Sequence, residues 1–67
     1  MRINKIIHRS MRANDEGLWL VWAQCIINGQ YRYCALMYDT YEESKAAHDG
    51  QVLDIEKTRF SIRNNFM

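Results

Sequence analysis

The chain has 67 residues, of which 48% are hydrophobic and 25% charged, and its net charge is +1. That size fits a single domain spanning 1–67, one that buries only about 60% of its unfolded surface. The balance excludes a disordered chain. No apolar run approaches the roughly 18 residues of a membrane span.

The first segment, "RINKIIHRSMR", has no apolar core long enough for a secretory signal, so a cytoplasmic protein is expected. Ile3, Ile6, Ile7, Ser10 and Met11 have helical spacing. Yet isoleucine is β-branched and favours strands. We read residues 2–12 as a strand, with a helix as the alternative. The turn-like "ANDEG" then leads into the next run.

Residues 17–38 carry the firmest signal. Asn28-Gly29 joins two β-prone runs, and a type I′ turn needs positive φ at both central residues. A two-residue loop sets Ile27 opposite Gln30 and fixes every pair beyond. One face then holds Leu18, Leu20, Trp22, Gln24 and Ile26 with Tyr31, Tyr33, Ala35 and Met37. The other holds Trp19, Val21, Ala23, Cys25 and Ile27 with Arg32, Cys34, Leu36 and Tyr38. A half-exposed antiparallel sheet alternates apolar and polar residues, and this hairpin does not. Cys25 and Cys34 become diagonal neighbours. Such Cα pairs lie about 7–8 Å apart, beyond the roughly 6.8 Å limit of a disulfide. Two buried, reduced thiols are expected, as in a reducing compartment.

"DTYEESKAAHDG" reads as a helix of about ten residues. Thr40 with Glu43 forms a capping box, Glu42 and Glu43 suit the positive helix end, and Gly50 reads as the left-handed stop. Ala46 and Ala47 allow close approach to the sheet face carrying Ala23, Cys25 and Cys34. "VLDI" at 52–55 packs the return, and "TRFSIRNNF" alternates as a half-buried strand. The expected fold is α+β in the order β-β-β-α-β. It is a small antiparallel meander of three strands around the central hairpin, with one short helix on one face and a C-terminal strand. A three-stranded sheet followed by a helix resembles, in topology, the small DNA-binding domains at the N-termini of phage-type integrases. The likeness assigns no residue a role.

No catalytic constellation is present. Ser10, Ser44 and Ser61 lack a nucleophile-elbow context, no glycine-rich loop suits a phosphate, and His8, His48, Cys25 and Cys34 lack zinc-site spacing. We therefore expect no enzyme, metal or cofactor. The apolar second face of the hairpin points to a protein-binding module acting through Leu20, Trp22, Tyr31, Tyr33 and Met37. Its partner would be another protein or a second copy, and an inhibitor or regulator from a phage or mobile element fits the size. The terminal segments could instead cover that face with Ile3, Ile7, Met11, Phe60 and Ile62. Charge gives the alternative function. Arg2, Lys5, Arg9 and Arg12 at one end, and Lys57, Arg59 and Arg63 at the other, have no acid among them. Brought together, they would form one phosphate-holding patch for nucleic acid. A structural homodimer is the third reading.

Overall fold

The computed structural model describes residues 1–64. Four strands and one helix follow in the order β1 (Arg2–Arg9), β2 (Trp19–Ile27), β3 (Gln30–Tyr38), α1 (Tyr41–Ala46) and β4 (Phe60–Arg63). The strands form one antiparallel sheet in the spatial order β1-β2-β3-β4.

The central hairpin pairs as its turn dictates, from Ile27 opposite Gln30 to Trp19 opposite Tyr38 without a slip. Asn28 and Gly29 have φ of 52° and 76°, the pair of positive values that lets a two-residue turn match the strand twist.

β1 is a strand, but an irregular one. Its register against β2 shifts between Ile3 and Lys5 and again between Ile6 and His8. Each bulge adds one residue without a cross-strand partner. The side-chain period therefore becomes three. Ile3, Ile6 and Arg9 face one side, opposite Cys25, Ala23 and Val21; Arg2, Lys5 and His8 face the other, opposite Ile26, Gln24 and Trp22.

The core lies on the helix side of the sheet. Ile3, Val21, Ala23, Cys25, Ile27, Cys34, Leu36 and Ala47 are buried together, with Met1, Ile6, Tyr38, Leu53 and Phe60 packed around them. Small residues at 23, 25 and 34 leave room for the helix, as their sizes predict. Both cysteines are buried free thiols. Burial, then the neighbouring Cys34, pushes the Cys25 thiol up to about 12. Burial also raises Cys34 and Tyr38.

The helix starts as expected and ends early. Thr40 Oγ1 accepts from the Glu43 amide at 3.2 Å and donates to the Glu43 carboxylate at 3.0 Å. The helix closes after six residues, with Ala47 already extended at ψ 136°, rather than running to Gly50. Two interactions stop it. Arg9 donates from Nη1 to the Ser44 carbonyl and from Nη2 to the Ala47 carbonyl, both at 2.6 Å. Beyond it, the chain turns back along the free edge of β1. The Ile3 amide donates to the Gln51 carbonyl, the Gly50 amide to the Ile3 carbonyl and the Leu53 amide to the Met1 carbonyl. Gly50 keeps a positive φ of 84°, but within this turn rather than as a helix stop. The beginning of one edge of the sheet is thus covered, while β4, only four residues long, forms the other edge. Among the described residues, no helix is long and apolar enough to cross a membrane.

Candidate functional site

The face of the sheet turned away from the helix is built in cross-strand rows. Arg2, Ile26 and Tyr31 make the first. Lys5, Gln24, Tyr33 and Arg63 make the second, and His8, Trp22, Ala35 and Ser61 the third. Leu20 and Met37 begin the fourth. Aromatic and aliphatic groups therefore occupy the middle strands, and basic or imidazole groups the borders.

The five residues expected to bind a protein, Leu20, Trp22, Tyr31, Tyr33 and Met37, all lie on this face. Tyr31 is 63% exposed and Tyr33 40%. Leu20, Trp22 and Met37 are half-buried among their neighbours. The Arg63 guanidinium sits 5.5 Å above the centre of the Trp22 ring, a cation–π contact that fixes a long flexible side chain. Asn4 Nδ2 donates to Gln24 Oε1 at 2.8 Å, tying the first bulge of β1 to the middle of the face. Lys5, Ile6, Ile7, Gln24 and Tyr33 line a shallow hollow of about 410 Å³ at the β1 side.

The terminal segments do not close over this face as a lid. Ile3 sits in the core on the helix side, and Phe60 and Ile62 are registered opposite Leu36 and Cys34 on that same side. Ile7 is 48% exposed in its bulge and Met11 is 91% exposed in the β1–β2 connection. The reason is topological: β1 and β4 add to the two sides of the hairpin as strands, so their apolar residues join the core.

The basic ends do not form one patch either. β1 and β4 are separated by the full hairpin, about 14 Å at three interstrand spacings. Arg9 is spent on the helix end. Arg59 pairs with Asp39 at 3.0 Å. Arg12 and Lys57 are exposed in the connections. Arg2, Lys5 and Arg63 remain on the aromatic face, with His8 beside them. The hairpin register already set Gln24 on this face, but sequence reasoning named neither His8 nor Gln24 as a site residue. The pairing of Gln24 with Tyr33 in the hairpin register was the available signal for the latter.

The acids lie elsewhere. None of the four strands contains an Asp or a Glu. All eight acids fall in α1 and in the connections.

A second hollow, about 350 Å³, lies between Arg9, Ser10, Met11, Trp19 and Tyr41. Its wall is the Trp19–Tyr41 ring pair, 5.1 Å between centroids. Among the described residues, no cluster of three His, Cys, Asp or Glu side chains is placed to hold a metal ion.

Comparison with known proteins returns no match: no family model, no curated protein and no solved structure is similar to the chain. The likeness to phage-type integrase domains therefore rests on strand and helix order alone, and fold order does not assign function.

Proposed function

We propose that this chain is a non-enzymatic binding module whose working surface is the sheet face opposite the helix. One observation carries the reading. Trp22, Tyr31, Tyr33, Leu20 and Met37 share the sheet face opposite the helix, where Tyr31 and Tyr33 stay 63% and 40% exposed while Ala35 in the neighbouring row is buried. Burying the exposed remainder of such side chains in a partner recovers part of the about 1.5–3 kcal/mol that full burial contributes, and aromatic residues are typical anchors of binding surfaces. A protein or a second copy is one occupant that suits the apolar rows. A nucleic acid is the other, and the acid-free strands with Arg2, Lys5 and Arg63 at the borders favour it.

The test compares variants of this face with a control beyond it. Tyr31→Ala and Tyr33→Ala should each abolish or strongly weaken association, in light scattering for self-association and in pull-downs with and without nuclease. Lys57→Ala, in the α1–β4 connection, should leave association unchanged. An association that survives both tyrosine variants places the working surface elsewhere and removes the reading.

A further inference from the structure

The geometry points to a single-stranded nucleic acid as the occupant of this face, an inference that rests on the proposed working surface and names its ligand. The phosphates run along β1 and the bases lie across β2 and β3.

The two bulges are the reason. They turn Arg2, Lys5 and His8 to the same side although they are three residues apart in sequence. Their partners are Ile26, Gln24 and Trp22, each two residues from the next on a regular strand. The border groups therefore recur about every 7 Å along the sheet. Across from this border, Tyr31 and Tyr33 point outward with the same two-residue step and are both exposed. Exposed rings at such a step suit bases already separated from one another, which a single strand offers and a duplex does not.

The far border repeats the arrangement. Arg63 closes the row of Lys5, Gln24 and Tyr33. Its planar fork, held against Trp22, is a preorganised phosphate or base-face contact. No carboxylate among the described residues pairs with Lys5 or Arg63, and no strand contributes an acid to oppose a polyanion. Asp39, at the end of β3, is occupied by Arg59. A net charge of +1 thus conceals acid-free strands balanced by acids in the helix and connections, of which Asp49 reaches the β1 edge and accepts from the Ile6 amide at 2.8 Å. Charge complementarity favours a polyanion over a protein surface of mixed sign. The Asn4–Gln24 amide pair lies between the border and the rings, where base edges would pass.

The test is fluorescence anisotropy with labelled 15-nucleotide oligothymidylate and oligouridylate, against a DNA duplex of equal length, from 50 to 300 mM salt. The single strands should bind more tightly than the duplex. The logarithm of affinity should fall with the logarithm of salt with a slope of about −2, as three neutralised phosphates require. Tyr31→Ala, at an exposed position that should fold normally, should weaken binding about 10-fold, and Tyr33→Ala similarly, as loss of one stacked base predicts. Lys5→Glu with Arg63→Glu should remove most of the salt dependence. Circular dichroism of each variant separates a lost contact from a lost fold. Binding of either strand with these responses supports the assignment. No binding to either strand at 50 mM salt, a preference for duplex, or binding indifferent to all four substitutions overturns it. Self-association that depends on Tyr31 and Tyr33, without strand binding, also overturns it while leaving the working surface in place.

Discussion

Arg9 shows how one position changes meaning when its neighbours are known. In a basic segment it reads as a phosphate ligand. In the fold it bridges the Ser44 and Ala47 carbonyls, two acceptors that a six-residue helix leaves without intrahelical donors. Arg9→Ala should cost about 2–3 kcal/mol in urea denaturation, the range for hydrogen bonds to a charged donor; Arg9→Lys should restore part of it. Arg59 looks similar in sequence and should behave differently. Its pair with Asp39 has side chains 56% and 72% exposed, and such pairs contribute below about 1 kcal/mol. The cysteines were legible because their placement follows from hairpin register alone. Their raised pKa values keep both protonated near neutrality. A thiol reagent at pH 8 should therefore label neither Cys25 nor Cys34 until denaturant is added.

The central hairpin was readable down to each pair, because its turn contains the conformational instruction. Gly29 carries φ of 76°, a region that costs other L-residues roughly 1–2 kcal/mol. Gly29→Ala should lower stability by about that amount with the fold retained. The helix start was equally legible, and Thr40→Ala should cost about 1 kcal/mol in the same denaturation experiment. The helix end was not, since a side chain distant in sequence, Arg9, determines it. β1 explains the remaining ambiguity. Two bulges convert an alternating strand into one with a period of three. Ile3 and Ile6 then share a side as they would on a helix, so hydrophobic spacing alone cannot separate the two forms. The identities of Arg2, Lys5 and His8 were visible throughout; their common side depended on bulges that no residue type announces.

At the scale of the molecule, the protein should lose stability in mild alkali. Below pH 9 the thiols are protonated in both the folded and unfolded chain. Above it the unfolded chain releases thiol protons first, because burial raises both folded values. Stability should then fall by up to about 1.4 kcal/mol per pH unit for each thiol, and for Cys25 until it ionises in the fold near about 12. Tyr38, also raised, adds to the loss above pH 10. Thermal melts from pH 7 to 10.5 in reductant should show the decline, and Cys25→Ala should flatten it while lowering the starting value. The sequence revealed that both hairpin faces are apolar. It did not reveal which face the ends would serve, because that depends on whether they join as strands or fold across as lids. They join as strands, and residues 50–53 then cover the beginning of β1's outer side, while β4 forms the opposite margin. Growth of this sheet is obstructed on one side. Two molecules meeting at their β4 margins would turn only the obstructed sides outward, so the architecture favours a closed pair over a fibre.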